Sequence, residues 1–278
     1  MPWGFEPLIL RSEFRVSLIW YAFFVFKICL EIKMISSKDL IASMKVEVFH
    51  ERCDCFGQLK IAELGAYMLR LAGLHADILN VGIDKLQAHQ MTWVLTKFML
   101  NITELPQKNQ IISFKTWVRA INKFGTERCF AVYDDMGKVL ATACSNWVVL
   151  DVETRRPKFL SAILDSEITT AEADVEIPAV GKLNFQACDL SLSDTLKVKN
   201  SDIDINTHLY SMKYLEYVLN LFPISEFSKA KHITMNFLAE VHLGEEVKIC
   251  SATSGNVTSF EMQTLEPEKS VFRASVEL

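Results

Sequence analysis

The segment Ser201-Asp202-Ile203-Asp204-Ile205-Asn206-Thr207-His208 sets a carboxylate, an amide and an imidazole at alternate positions. If it is extended, Asp204, Asn206 and His208 face one side together while Ile203 and Ile205 face a core. Attack of water on an acyl carbonyl needs a group that takes a proton and donors that stabilise the oxyanion. These three residue types supply both. A helical pattern follows at once, and the free N–H groups at its start would favour a developing negative charge. The same residues also have a purely structural reading, because Asp and Asn ahead of a helix are common caps.

The elements that must position this segment are written twice. From Met44 the chain reads as a strand (KVEVFH), a polar turn (ERCDCFGQ) and a helix through about Leu74, whose apolar stripe is Leu59, Leu64, Tyr67, Met68, Leu71 and Leu74. Four β-rich runs follow at 91–100, 110–121, 128–134 and 138–150, the last two separated by Asp134-Asp135-Met136-Gly137 as in a hairpin. The order then repeats: a short strand at 196–202, a polar turn, a helix from Leu209 to Leu221 and four more strand-like runs. Asp54 matches Asp204, Leu59 matches Leu209 and Tyr67 matches Tyr217, at a constant offset of 150 positions. A repeat this long is a domain duplication and not a solenoid. At the positions of Asp204, Asn206 and His208 the first copy has Asp54, Phe56 and Gln58, so the polar set is complete only in the second. Capping alone predicts no such asymmetry; a division of labour does.

A helix laid across an antiparallel sheet is the α+β solution to burying one apolar face, and two such units can pair edge to edge. The expected layout is an extension at 1–43, a first domain at 44–150, a surface linker at 151–191 rich in Asp, Glu, Ser, Thr and Ala, and a second domain at 192–278.

Composition narrows the class. Half of the residues are hydrophobic, 23% are charged and Gly and Pro are scarce, which describes a folded chain. A net charge of −5 argues against nucleic acid as a partner, although a local basic patch could still receive an acidic protein. The seven cysteines, Cys29, Cys53, Cys55, Cys129, Cys144, Cys188 and Cys250, are odd in number and irregular in spacing, so they read as reduced thiols. Cys53 and Cys55 lack a second ligand pair at zinc-site spacing, and no metal or other cofactor is expected. The apolar run from Val16 to Phe26 is too short to span a bilayer as a helix, and no small-residue cleavage site follows it. It reads as a membrane-anchoring segment, an uncleaved export signal, or an extension upstream of a true start at Met34 or Met44. The last is preferred, since domain pattern begins only near Lys45 and export conflicts with free thiols. A cytoplasmic protein is the expectation.

The run SDIDINTHLYSMKYLEYVL resembles the signature of the acyl-ACP thioesterases, in which Asp-x-Asn-x-His precedes a Lys-Tyr pair, here Lys213-Tyr214. Trp93-Val94 with Thr96, Thr116-Trp117-Val118, Asn146-Trp147-Val148 and ITMNFLAEV at 233–241 extend the resemblance from about Lys45 to the C-terminus. It implies a tandem hotdog fold and a soluble hydrolase that releases fatty acid from acyl carrier protein. The site carried over is Asp204, Asn206, His208 and Glu240, with His208 and Glu240 activating water, Asn206 polarising the carbonyl and Asp204 orienting partners. By itself Glu240 reads as an ordinary surface carboxylate. The chain departs from the family in two places. Plant members carry Cys after this Glu where Val241 stands here, and the family's Val-Asn-Asn after the His is Leu209-Tyr210-Ser211.

The first copy would then hold the acyl chain, with Leu64, Met68, Trp93 and Leu95 as lining candidates that equally suit an ordinary core. Lys123, Arg128, Arg155 and Arg156 are the cations that could meet the carrier, or simply be solvated surface. A homodimer is compatible with this reading. Two rivals use the same fold: a non-catalytic acyl-thioester binder, and a hotdog dehydratase acting on acyl thioesters.

Overall fold

The computed structural model describes residues 40–162, 168–181, 183 and 190–278. The apolar run at 16–26, the candidate start at Met34, Cys29 and Cys188 lie outside the described residues. The first copy begins with β1 (Ile41–Glu47), a strand that starts ahead of Met44. It continues with α1 (Ile61–Ile78), a short α2 (Ile83–Gln87), β2 (Met91–Ile102), β3 (Ile111–Ile121), β4 (Gly125–Tyr133) and β5 (Val139–Asp151). The second copy has β6 (Ser191–Lys197), α3 (Ser211–Leu219), β7 (His232–Phe237), β8 (Glu246–Ser254), β9 (Val257–Thr264) and β10 (Lys269–Glu277).

All ten strands form one antiparallel sheet in the order β1-β3-β4-β5-β2-β7-β10-β9-β8-β6. With β6 to β10 taken as the counterparts of β1 to β5, the second half of this order is the first half reversed. That is the arrangement a tandem pair makes by joining edge to edge. The joint is β2 with β7, running from Lys97 opposite Asn236 to Asn101 opposite His232. Each copy thereby removes one open ladder edge.

The helices lie on one face of the sheet. On α1 the buried residues are Ile61, Leu64, Gly65, Met68, Leu71, Ala72 and His75, a stripe at spacings of three and four. On α3 they are Met212, Tyr214, Leu215, Val218 and Leu219. A Cβ at Gly65 would overlap Met212 Sδ, so glycine here lets the two helices approach closely. Phe98, Phe114, Phe130, Phe260 and Phe272 are fully buried in the sheet, each contributing on the order of 2 kcal/mol by burial. The opposite face of the first half-sheet, at Met99, Trp117, Cys129 and Cys144, is covered by Ile177 with Ala171, Ala173 and Val175 of the linker, and Arg119 donates to the Ile177 carbonyl.

Among the element boundaries that differ from the sequence reading, three have a clear local cause. α1 continues beyond Leu74 to Ile78 because His75 prolongs its stripe, and it ends where Asn80 adopts φ +55. α3 starts at Ser211 and not at Leu209, because Leu209 belongs to a ladder: its N–H donates to the Val241 carbonyl at 2.7 Å. The strand expected at 196–202 is β6, which stops at Lys197. A 3-10 turn then forms at Asn200–Asp202, where Asp202 Oδ2 accepts the Lys199 N–H at 2.8 Å.

Candidate functional site

The segment 203–209 is a closed turn, not an extended strand. Ile203 and Leu209 pair at its base, and the Asp204 N–H donates to the His208 carbonyl at 2.8 Å. Asp204 Oδ1 accepts the N–H of Asn206 at 2.8 Å and that of His208 at 3.2 Å, and Thr207 takes φ +65 to complete the loop. Ile205, expected to face the core, is therefore 82% exposed at the loop tip, whereas Ile203 does pack against the core. No side chain caps α3. Asp204 caps the turn instead, which replaces the helix-capping reading.

The first copy builds the same turn. Asp54 Oδ1 accepts the N–H of Phe56 at 2.9 Å and of Gln58 at 3.0 Å, Cys53 pairs with Leu59, and Gly57 at φ +78 stands where Thr207 does. Beyond the turns, the Leu59 N–H donates to the Pro106 carbonyl as that of Leu209 does to Val241. Gln58 bridges Gln107 as His208 bridges His242. This correspondence makes Leu105, 4% exposed, the counterpart of Glu240. The polar set thus becomes Phe56, Gln58 and Leu105 in the first copy, and only the aspartate is common.

In the second copy His208 Nδ1 lies 3.4 Å from Glu240 Oε1. The His242 ring stands edge-on to His208, with centroids 4.8 Å apart. Burial holds His208 below its ordinary pKa, helped by His242 and Arg155 and opposed by Asp204, so the ring is neutral near pH 7. Arg155 comes from the start of the linker, just past the end of the first copy. It follows β5 in a turn tied by Asp151, whose Oδ1 accepts the Thr154 N–H at 2.7 Å, and from its left-handed backbone at φ +56 the side chain pairs with Glu240. A non-glycine residue in that conformation costs on the order of 1 kcal/mol, and such residues cluster at functional sites.

These groups line one wall of a cavity of about 1260 Å³ that runs across the β2–β7 joint. Asp204, Asn206, His208 and Glu240 all border it, as do Tyr210 and Ser211 where α3 begins. Its first-copy walls are largely apolar, including Leu69, Ala72, Trp93, Leu95, Val118 and Ile168. Among the described residues no cluster of His, Cys, Asp and Glu could hold a metal ion.

The remaining sequence candidates divide. Trp93 and Leu95 line the cavity, and Trp93 Nε1 donates to the Val81 carbonyl at 2.8 Å. Leu64 and Met68 are corrected to core residues: both are fully buried beneath α1 and border no part of the cavity. Arg128 is 6% exposed on β4 and so cannot meet a carrier protein. Arg155 is engaged by Glu240, while Lys123, over the Phe159 ring at 4.5 Å, and Arg156 remain on the surface. The sequence reading missed His242 and Tyr210. The signal for His242 was present in Glu240-Val241-His242, where the middle residue is buried and its neighbours face the site.

Two family models match: the acyl-ACP thioesterase N-terminal domain over residues 39–166 and the C-terminal domain over 186–271. An acyl-ACP thioesterase structure from Bacteroides thetaiotaomicron superposes with a TM-score of 0.77 at 30% identity, covering 87% of this chain and 99% of that one. The 12:0-ACP thioesterase of Umbellularia californica shares the fold, with a TM-score of 0.72 at 19% identity over 86% of this chain and 97% of its own. A chloroplastic palmitoyl-acyl carrier protein thioesterase from Cuphea hookeriana is 25% identical over 62% of this chain and 43% of its own length. The oleoyl-acyl carrier protein thioesterase 1 of Arabidopsis thaliana is 22% identical over 71% and 58%. The chain therefore spans about half the length of these plant relatives. With both half-models matched in order on a tandem hotdog sheet, this chain belongs to the acyl-ACP thioesterase family.

Proposed function

We propose that this chain hydrolyses fatty acyl thioesters carried on acyl carrier protein, with the second copy performing the chemistry and the first holding the acyl chain. The observation that carries this reading is that Asn206, His208 and Glu240 border one mainly apolar cavity whose lining comes largely from the first copy. The acyl chain would lie across the β2–β7 joint with its thioester near His208. The Asn206 amide, together with N–H groups at the start of α3, would stabilise the oxyanion, and neutral His208 beside the Glu240 carboxylate would take the proton from water. Asp204 acts on neither substrate nor water; it fixes the backbone that carries Asn206 and His208.

The test is an acyl-ACP panel of graded chain length, followed for free thiol and free fatty acid. Thiol release that disappears in His208→Ala supports the hydrolase. An intact thioester undergoing hydration chemistry favours the dehydratase, and acyl binding without either favours the non-catalytic binder. No helix among the described residues is long and apolar enough to cross a membrane, and the described cysteines are all free, as a reducing cytoplasm would keep them. A homodimer, if formed, would use the outer sheet edges, β6 being exposed along most of its length; light scattering reads this directly.

A further inference from the structure

We infer that the first-copy end of the cavity contains a recognition subsite for an oxygen function on the acyl chain, built from Arg128 with His75 behind it. The inference rests on reading the cavity as the acyl chamber. Arg128 projects from β4 on the face shared with Phe130 and Val132, toward the helices, and borders the cavity. Its Nη1 lies 2.8 Å from His75 Nδ1 and 3.3 Å from Thr116 Oγ1, and no ion pair among the described residues involves it. A buried guanidinium with only neutral partners is costly, and such cations are usually paired with an acceptor or an anion.

Donor and acceptor roles show what is missing. Arginine can only donate, so His75 Nδ1 must accept and the proton of the neutral ring sits on Nε2. Burial and the adjacent Arg128 charge hold His75 at a pKa of about 4, which keeps the ring neutral. Its Nε2 is buried and has no hydrogen-bond partner among the described residues. With His75 behind it as an acceptor, Arg128 presents donors and no acceptor to the cavity, and the complementary ligand atom is an oxygen with lone pairs. A hydroxyl or carboxylate carried by the chain fits; a bare methyl end does not.

The sheet register gives the location. Arg128 pairs with Ser145, Ser145 with Phe98 and Phe98 with Met235, so Arg128 lies three strands from β7. At ~4.8 Å per strand that is on the order of 14 Å across the sheet. The subsite is thus remote from His208 and faces the distal part of the chain. The strand partner of Arg128, Val118, is apolar and the hydroxyl of Thr126 lies two residues along on the same face of β4, so the guanidinium is the charged feature a distal oxygen would find.

Calorimetry on the full chain with free acids tests this without requiring turnover. For each length in a series, the probes are the saturated acid, its ω-hydroxy derivative and the dicarboxylic acid. At the length that reaches Arg128, the oxygenated acids should bind about tenfold tighter than the saturated one, the size expected of a hydrogen bond to a charged donor. Arg128→Met should abolish the preference without lowering the thermal midpoint, since replacing a buried charge by an apolar side chain is often neutral or better. If that variant fails to fold, Arg128→Lys takes its place and should weaken the preference. Saturated acid binding as tightly at every length, a preference that survives both variants, or no binding of any acid overturns the subsite; in the first case Arg128 holds water only. Thiol release from acyl-ACP is scored separately. Release with no oxygen preference sinks the subsite and leaves the hydrolase standing; an oxygen preference in binding with no release does the reverse.

Discussion

The turns at 53–59 and 203–209 have the same backbone, an aspartate accepting the same two N–H groups, and a left-handed residue three positions on, Gly57 in one and Thr207 in the other. They differ in what they display. The second displays Asn206 and His208, the latter beside Glu240; the first displays Phe56 and Gln58, with Leu105 in the place of Glu240. On the proposed reading, duplication has separated architecture from chemistry within one chain. What both copies retain, Asp54 and Asp204, keeps the loop closed, and what only one retains is the candidate machinery. The comparison also supports the proposed positioning role of Asp204, which alternation along a strand does not distinguish from catalysis.

The largest expected effect follows from removing what the first copy lacks. His208→Ala should lower kcat by about 10² to 10⁴, the range of a lost general base, with little change in thermal midpoint because the ring is partly exposed. The corresponding Gln58→Ala should leave kcat unchanged. Equal losses in both variants, read from acyl-ACP turnover, would break the proposed division between copies. Asp204→Ala should come next. Loss of two backbone anchors would let Asn206 and His208 drift, costing on the order of 10² in kcat together with about 1 to 2 kcal/mol of stability. A turnover loss with no shift in denaturation midpoint would return Asp204 to direct chemistry.

Arg155 sharpens the comparison differently, because it is a residue at the linker's start, next to the first copy, placed in the second-copy site. Its charge is one of the causes that hold His208 below the ordinary histidine value. Activity needs the neutral ring, so the acid limb of the kcat/KM profile should lie below pH 6.5 in the native enzyme. Arg155→Met removes a cation that opposes protonation of His208. The limb should move to higher pH, and activity at mildly acid pH should fall several-fold. Arg155→Lys should largely restore the native profile, whereas a residue needed only for the turn after β5 would move stability and leave the profile in place.

Much of this organisation was legible in the chain. The two periodicities, apolar residues at spacings of three and four on α1 and alternation in the β-rich runs, follow directly from which face is buried, and the constant offset across Asp54, Leu59 and Tyr67 exposed the duplication. The site was legible only where side-chain type carries the signal. Asp204-x-Asn206-x-His208 reads as strand alternation, yet the Asp204 side chain bonds the backbone of its own loop and turns Ile205 outward. Leu105 escaped notice as the counterpart of Glu240 because the offset shortens after α1. There the first copy carries α2 and the longer β2. On charge alone Arg128 and Arg155 suit either a contact with the carrier or solvated surface. Which of them faces a carrier, a cavity or a carboxylate depends on strand register and on a left-handed turn, neither of which composition encodes.

The smallest expected effect is the one that most directly tests the shared half of the comparison. Asp54→Ala removes the same two N–H acceptors from the first turn that Asp204→Ala removes from the second. Its neighbours display no candidate chemistry: Phe56 is 54% exposed at the loop tip, and Leu105 occupies the place of the carboxylate. Two net hydrogen bonds of a partly exposed turn amount to about 1 kcal/mol, enough to move the urea midpoint measurably but not to unfold the chain. Turnover of acyl-ACP should stay within twofold of the native value. If Asp54→Ala instead lowers kcat as far as Asp204→Ala while costing no more stability than expected, the first turn is part of the working site, and the assignment of chemistry to one copy fails.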